Sequence, residues 1–396
     1  MLLVFVGSIF VVLSMMKLYV YMRFFRHSVL LPKWAGICIL FALALGEIAL
    51  FVVRDAHFRH WQYLAVSSCV VLTLTLFMAC VAVDIARFGV RLAGRFKEVG
   101  AGTQSMGEPH RAVGWHNEAD SKRRTFLKKC VDYAVGGLFL LLSVKGFYSA
   151  LALPPIREVR VKIPRLKAPK SIAMISDVHI GKTLGRKFLQ GVVDKINALK
   201  ADIVVIVGDL VDDRIENLKD ELEPLKQLES KEGVYYVAGN HEYYHGADSI
   251  VEHLKTCNLK VLHNRHIELD DVNLAGVSDL AGLRFGHLKP DLESARSGLN
   301  PHKPSILLSH QPKFVRENDV SDFDLVLCGH THAGQVFPLS LFVWIDQHYI
   351  HGLYRLPASK DSQSKSTQLY VSSGVGFWGP AIRFLAPSEI VLLRLT

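Results

Sequence analysis

Five apolar runs in the second half of the chain each end in side chains that can bind a metal ion or move a proton. Carboxylate, imidazole and amide groups are common ligands of divalent cations. One such cluster has little weight by itself, because Asp-x-His and His-x-His pairs are common at surface turns. Five clusters, each directly after an apolar run, indicate one shared metal site. The residues are Asp177 and His179, Asp209 and Asp212, Asn240 and His241, His310, and His330 and His332.

The runs before these residues are short and rich in β-branched side chains, which is typical of strands buried on both faces. Helix-like stretches at 187–200, 217–230 and 248–257 alternate with the first three runs. This order predicts parallel strands joined by crossover helices. Ligands bind such sheets beyond the carboxyl ends of the strands, so we expect all five clusters to meet there. Later strand-like runs predict a second sheet. They lie at 259–269, 272–277, 349–355, 367–373 and 389–395.

The series of motifs resembles the calcineurin-like metallophosphoesterase superfamily, and in particular a membrane-associated branch of it. The resemblance covers about residues 171–335, and the segments 329–335 and 374–380 point to the membrane-associated branch. The matching blocks are Asp177-x-His179, Gly208-Asp209-x-x-Asp212, Gly239-Asn240-His241-Glu242, His310 and Gly329-His330-x-His332. The resemblance implies a two-sheet α/β/β/α metallophosphoesterase fold that hydrolyses phosphoesters with two divalent metal ions.

The resemblance also implies which residues hold the two ions. One ion would be held by Asp177, His179 and His332. The other would be held by Asn240, His310 and His330. Asp209 would bridge both, a role that needs the two anionic oxygens of a carboxylate. Such a mixed nitrogen and oxygen set suits Mn, Fe or Zn ions, and it argues against Ca²⁺ or a thiolate-held structural zinc.

Two ions in such a site lower the pKa of a bridging water, orient the phosphoryl oxygens and neutralise charge in the transition state. The expected nucleophile is therefore a metal-bridging hydroxide. The resemblance implies that His241 protonates the leaving alkoxide as the general acid, and that Asp212 orients His241. A helix N-cap is the alternative role for Asp212.

Asp213 occupies a position where some phosphatases of the superfamily carry an arginine, and Arg214 follows it. An arginine clamp on a phosphate dianion is therefore not expected here. This favours a phosphodiester, which carries one charge less. Arg383 is either a substitute clamp or a surface strand residue. A phosphomonoesterase or protein phosphatase, and a membrane sensor with a catalytically weak domain, remain open as alternatives.

Residues 1–155 are predicted to form an all-α transmembrane bundle. They carry the whole net charge of +9, with 17 Lys and Arg against 8 Asp and Glu. Basic flanks around apolar runs indicate membrane segments, so we expect no nucleic-acid binding. Glu47 within the second run is expected to be paired inside the bundle or to have a role of its own. The predicted spans are 2–20, 34–53, 63–83 and 131–153.

Ten Lys and Arg between 84 and 130 predict that this linker is cytoplasmic. Its part at 98–121 is expected to be flexible. The catalytic domain, 156–396, would then be extracytoplasmic, at the periplasmic or outer face. Residues 121–128 resemble a twin-arginine export signal, with ordinary positive-inside charge as the alternative.

A domain tethered beside a bilayer is expected to act at the membrane surface on a phosphoester, with a lipid-linked phosphoester as the candidate substrate. The apolar stretch at 336–345 is expected either to dock on a bilayer or to be a core helix or loop.

Overall fold

The computed structural model describes residues 2–52, 60–100, 116–357 and 366–396. The chain divides into two compact units. One contains Met1–His57 and Ala65–Lys145, and the other contains Phe58–Leu64 and Gly146–Thr396.

Four long helices account for most of the N-terminal region: α1 Leu2–Val20, α2 Lys33–Val52, α3 His60–Gly100 and α4 His116–Leu151. Each is long and apolar enough to cross a membrane. The helices α3 and α4 extend well past the predicted spans, because a helix that leaves the apolar zone can continue with polar residues. The predicted linker 84–130 is therefore helical over 84–100 and 116–130, and its remaining part lies outside the described residues.

The acid in the second helix is paired within the first unit. Glu47 is 1% exposed and forms an ion pair with Lys17 of α1. Its other carboxylate oxygen accepts a hydrogen bond from Thr73 of α3 at 2.6 Å. The expectation that Glu47 is paired inside the bundle is confirmed. The pairing matters because an unpaired charge among apolar helices is costly.

The second unit contains two six-stranded sheets, and both are mixed. The first sheet contains β1 Ile156–Val161, β2 Lys170–Ile175, β3 Ile203–Val207, β4 Val234–Val237, β5 Lys260–Val261 and β12 Ile390–Leu395, in the order β1-β12-β2-β3-β4-β5. The second contains β6 Arg265–Glu268, β7 Asn273–Gly276, β8 Ser305–Leu308, β9 Leu325–Cys328, β10 Gly352–Arg355 and β11 Gln368–Val371, in the order β10-β11-β9-β8-β7-β6.

Helices connect the strands and cover the outer faces. They are α5 Arg186–Ala198, α6 Asn240–His245, α7 Ala247–Thr256, α8 Ala281–Phe285, α9 Leu292–Arg296, α10 Phe314–Glu317 and α11 Ser340–Gln347. The strands that carry the motifs run parallel within their sheets, β2 to β4 in the first and β8 and β9 in the second.

The alternation along β3 shows how the layers pack. Ile203, Val205 and Val207 belong to a buried cluster with residues of both sheets, so the sheets face each other there. Val204 and Ile206 belong to a second cluster with α5 and α7 on the outer face. Both faces of β3 are buried, as its apolar sequence predicts. The predicted α/β/β/α layering is confirmed. The assignment of the later runs to the second sheet is wrong for two of them, because 260–261 and 390–395 form β5 and β12 of the first sheet.

The predicted helix at 217–230 is wrong. This segment contains the end of one short 3₁₀ turn, Ile215–Asn217, and a second one, Glu223–Gln227. Pro224 begins the second turn and cannot donate the backbone hydrogen bond that a continuous α-helix requires there. Leu218, Leu222 and Leu225 are nevertheless buried, so the apolar periodicity marked a packed face correctly.

Candidate metal centre

The predicted metal ligands lie where the carboxyl ends of both sheets meet. Asp177 and His179 follow β2, and Asp209 follows β3. Asn240 begins α6 shortly after β4. From the second sheet, His310 follows β8, and His330 and His332 follow β9. The centre is thus built by five loops of two sheets, and residues up to 155 positions apart contribute to it.

One group of donors contains Asp177, His179 and His332, whose ligand atoms all lie within 4.8 Å of one another. The Nε2 atoms of the two histidines are 3.0 Å apart. Nε2 of His332 lies 3.5 Å from Oδ1 of Asp177. All three residues are buried. Two ring nitrogens that face each other beside a carboxylate are suited to share one cation.

A second group contains Asp209, His310 and His330. Nε2 of His310 lies 3.1 Å from Oδ2 of Asp209 and 3.2 Å from Oδ1 of Asn240. The ring centroids of His310 and His330 are 5.1 Å apart. Oδ2 of Asp209 is also 3.9 Å from Nε2 of His179, so this carboxylate faces both groups.

The backbone around the centre adopts conformations that side chains rarely accept. Five of the seven predicted ligands have a positive φ: Asp177, His179, Asp209, His330 and His332. Such strain is typical of functional sites, where neighbouring contacts hold it in place. Gly208, with φ +77°, packs so closely that a Cβ atom there would collide with the ring of His310.

The donors fit divalent cations by their protonation chemistry. Nδ1 of His310 lies 2.9 Å from the carbonyl of Val207 and donates to it, so a cation would bind at Nε2, in place of the proton that Asp209 stabilises there by raising the pKa of this ring. Burial and the nearby His310 lower the pKa of His330 to about 3, so its imidazole is neutral. Nδ1 of His330 is buried and has no hydrogen-bond partner among the described residues. A buried nitrogen of this kind needs a partner, and a metal ion supplies one.

Asp212 contacts two histidines at once. Its Oδ1 lies 2.7 Å from Nδ1 of His179 and 2.6 Å from Nδ1 of His241. Burial raises the pKa of Asp212, but the two imidazoles lower it more, to well below its usual value. Sequence reasoning paired Asp212 with His241 alone; the structure also places it behind a predicted metal ligand. The helix N-cap role does not apply, since the following 3₁₀ turn begins at Ile215 and Arg214 occupies its N-cap position.

Comparisons with known proteins agree with this geometry. A family model described as calcineurin-like phosphoesterase matches residues 170–334. An uncharacterized metallophosphoesterase of Campylobacter jejuni is 35% identical over 397 residues, which cover 99% of this chain and 98% of the relative. The chain belongs to the calcineurin-like phosphoesterase family. An uncharacterized metallophosphoesterase of Helicobacter pylori is 44% identical over 273 residues, 69% of this chain and 71% of the relative.

The name of a relative from Danio rerio combines a transmembrane region with a metallophosphoesterase domain. This relative is a transmembrane protein with metallophosphoesterase domain, 38% identical over 272 residues, which cover 64% of this chain and 60% of the relative. The phosphoesterase described here is accordingly a metal-dependent phosphoester hydrolase associated with a membrane.

Glu242 is a structural part of the phosphoesterase centre to which the sequence analysis gave no role. Its buried carboxylate accepts hydrogen bonds from the backbone N–H groups of Gly239 at 2.7 Å, Leu210 at 2.7 Å and Asp209 at 3.1 Å. It therefore ties the loop after β3 to the loop after β4. Its position three residues after Gly239, at the start of α6, is the signal that identifies such a capping carboxylate.

The interpretation of Arg383 as a surface strand residue or phosphate clamp is wrong. The side chain is 1% exposed and donates to the carbonyls of Ser373, Gly376 and Ala386 at 2.5–3.0 Å. It also lies 3.1 Å from Nδ1 of His332 and 3.3 Å from the carbonyl of the same residue. Arg383 therefore holds a predicted metal ligand in place. No local sequence signal indicates this, because the contact joins residues 51 positions apart.

Replacing Arg383 by lysine is expected to weaken metal binding by about 10- to 100-fold, the usual effect of losing a group that orients a ligand. A lysine keeps the charge but cannot donate to four carbonyls at once. Calorimetric titration of the metal-free protein with Mn²⁺ measures the affinity, and circular dichroism checks the fold. Arg355→Lys, on the exposed strand β10, is the matched control. Unchanged affinity in a folded Arg383→Lys protein would show that Arg383 does not position His332.

Proposed function

We propose that this phosphoesterase is a dinuclear metal-dependent phosphodiesterase that acts at the membrane surface. The observation that carries the proposal is the position of Asp209. Its carboxylate lies between a group with His179 and His332 on one side and a group with His310 on the other. A single carboxylate shared by two donor groups is what two neighbouring cations require.

We assign the ligands according to these two groups. Asp177, His179 and His332 would hold one ion, Asn240, His310 and His330 the other, and Asp209 both. When bound, Mn, Fe or Zn ions would supply Lewis-acid charge and an activated water. The chain fixes the geometry around them: the backbone N–H of His330 donates to Asp177 at 2.9 Å, and that of His241 donates to Asp209 at 2.9 Å.

We assign to His241 the protonation of the leaving group. Its Nε2 lies 4.0 Å from Oδ2 of Asp209, so the ring borders the metal-binding cavity. Burial lowers the pKa of His241, but Asp209 and Asp212 raise it more, to about 9. The imidazole therefore carries a proton at neutral pH, as a general acid must. Asp212 fixes the ring through Nδ1 and leaves Nε2 to face the substrate.

The charge of the centre supports a diester substrate. Five carboxylates lie in it or directly beside it: Asp177, Asp209, Asp212, Glu242 and Asp279. Neither arginine considered as a clamp offsets them. Arg383 donates to backbone carbonyls, and Arg214 is exposed beyond Asp213. The carboxylates would offset the charge of the bound metal ions, so the second negative charge of a monoester dianion finds no arginine to hold it, whereas a phosphodiester brings only one charge.

With Mn²⁺, kcat/KM for bis(p-nitrophenyl) phosphate is expected to exceed that for p-nitrophenyl phosphate by about tenfold or more, since one additional uncompensated charge costs over 1 kcal/mol. Both compounds release the same nitrophenolate, so absorbance measures them on one scale. Equal or faster turnover of the monoester would instead indicate a phosphomonoesterase.

The control for this assay is Asp209→Asn, which keeps the shape of the bridging side chain and removes its charge. The variant is expected to lose metal, as measured by elemental analysis, and to lose both activities while its circular dichroism spectrum is retained. Hydrolysis by metal-free Asp209→Asn protein would contradict the two-metal assignment, and no hydrolysis by the unmodified protein would favour the catalytically weak sensor.

The pH dependence of kcat/KM tests whether His241 acts as the general acid. Because the protonated form of His241 is the active one, kcat/KM is expected to fall as the pH rises through its pKa. Asp212 stabilises the charged imidazole, so Asp212→Asn lowers that pKa and shifts the alkaline limb to lower pH. The assay needs an alkyl phosphodiester, whose alkoxide leaves only when protonated, and saturating Mn²⁺, since Asp212 also contacts His179.

His241→Ala is the companion variant for the pH experiment. It is expected to reduce hydrolysis of the alkyl diester by about 100-fold or more and that of a nitrophenyl diester much less, since nitrophenolate leaves without a proton. Equal losses with both substrates would assign His241 a role other than proton donation.

We further propose that the catalytic domain is extracytoplasmic. The support is the excess of Lys and Arg between 84 and 130, which favours a cytoplasmic location for that region. An alkaline phosphatase reporter fused after Leu153 is expected to be active, and a green fluorescent protein fused there without export is expected to be dark. The reverse pattern would place the catalytic domain in the cytoplasm.

A further inference from the structure

The helix α11 has an inverted distribution of polar and apolar side chains. It comprises residues Ser340–Gln347, and its one buried residue is the polar Gln347. Phe342 is 67% exposed, Ile345 58% and Trp344 49%. A helix on the surface of a water-soluble domain normally buries its apolar side chains and exposes its polar ones. The expectation of a core element at 336–345 is therefore wrong.

Gln347 keeps the helix in this orientation. Its Oε1 accepts a hydrogen bond from the backbone N–H of Lys313 at 3.0 Å. At the other end, Phe337 donates its backbone N–H to the carbonyl of Phe384 at 3.2 Å. The polar anchor and the backbone pairing hold the segment in place, while its large apolar side chains face outward.

The exposed apolar side chains of 337–345, together with Leu385 of a neighbouring segment, form a surface that we call the apolar lip. The lip comprises Phe337, Leu341, Phe342, Trp344, Ile345 and Leu385. Leu385 belongs to it because Phe384 pairs with Val336 and Phe337 through the backbone. The stretch 336–345 contains no charged residue, and such a patch on a single domain marks an interaction surface.

The lip adjoins the metal centre through Gln335 and Trp378. The side chain of Gln335 bonds both backbone groups of Trp378, at 2.8 and 2.9 Å. The half-exposed indole of Trp378 lies edge-on to His241, with ring centroids 6.2 Å apart. Gln335 itself donates its N–H to the carbonyl of His332 at 2.9 Å. Whatever the lip contacts is therefore brought beside the proposed acid and metal ligands.

We infer that the apolar lip docks into the interfacial layer of a lipid bilayer. Large aromatic and aliphatic side chains are suited to this layer, with tryptophan especially favoured at the boundary with the head groups. Lys313 and Arg316 contact Asp346 directly beside the lip, so basic side chains lie where anionic head groups would be.

The attachment of the domain favours a bilayer over another occupant. The helix α4, which is apolar enough to span a membrane, ends at Leu151, and β1 begins at Ile156. Four intervening residues keep the domain close to the membrane at all times. A surface tethered so closely meets lipid at a far higher local concentration than any protein partner.

The consequence for the substrate rests on the proposed phosphodiesterase function and refines it. A docked lip places the metal centre at the level of the head groups, where it takes phosphodiesters of membrane lipids in preference to soluble ones. The docking itself does not depend on catalysis and is tested separately.

The full chain is reconstituted in nanodiscs of equal parts phosphatidylcholine and phosphatidylglycerol, with or without brominated acyl chains that quench tryptophan fluorescence. Trp344→Phe removes one of five tryptophans and keeps an aromatic ring in the lip. We measure the tryptophan fluorescence that each protein loses when the lipids are brominated. The unmodified protein is expected to lose more than Trp344→Phe, and the difference is the signal of Trp344. The remaining tryptophans are expected to be quenched equally in both proteins.

Two results of the fluorescence experiment overturn the docking. If Trp344 is quenched by aqueous acrylamide and not by bromolipid, the lip lies in water. If neither quencher reaches it, a protein surface, such as a second copy of this chain, covers the lip.

Activity provides the second measurement. Phe342→Ser is expected to lower the ratio of kcat/KM for a nanodisc phospholipid to kcat/KM for bis(p-nitrophenyl) phosphate by roughly tenfold, as loss of one large interfacial side chain implies. Phe342→Leu should retain most of the ratio. Leu353→Ser changes an exposed leucine on β10 and should leave the ratio unchanged.

An unaltered ratio in Phe342→Ser contradicts the docking. Failure of the unmodified protein to hydrolyse either substrate contradicts the proposed function, and the fluorescence result then decides the docking alone.

Discussion

The structure depends on the burial of two carboxylates in one small volume. Asp177 and Asp209 follow neighbouring strands of the first sheet, and both are almost completely inaccessible to water. Like charges placed so close together in a protein interior repel each other and lose their hydration, and cations compensate for this cost. The surrounding histidines add nitrogen donors, so the centre offers a mixed oxygen and nitrogen set that suits divalent metal ions.

The loops that carry these carboxylates are held by groups that do not bind metal themselves. Glu242 accepts hydrogen bonds from four backbone N–H groups of two loops, and Arg383 donates to the loops after β9 and β11. These contacts maintain the positive φ angles at Asp209 and His332, which an isolated loop would not keep. The two sheets thus act as a rigid frame, and the strain at their carboxyl ends is offset by buried hydrogen bonds.

The membrane region and the catalytic domain differ in how they accommodate buried charge. In the helices, Glu47 is tolerated because Lys17 and Thr73 satisfy it. In the catalytic domain, several buried carboxylates lie in the metal centre, and the large side chains exposed on α11 are apolar. The proposed docking on a bilayer rests on this contrast between buried charge and exposed apolar side chains.

The sequence by itself determined the family, the apolar helices, most of the strands and the nine candidate residues that the fold brings together. It did so because each ligand directly follows a strand, so local patterns and chain order suffice. It failed at 217–230, where apolar spacing suggested a helix that Pro224 interrupts. Only the tertiary structure decided the roles of Arg383, Glu242 and α11. The role of Arg383 depends on its hydrogen-bond partners in other loops, and the role of α11 depends on which of its faces is covered. Neither property is encoded in a short stretch of residues.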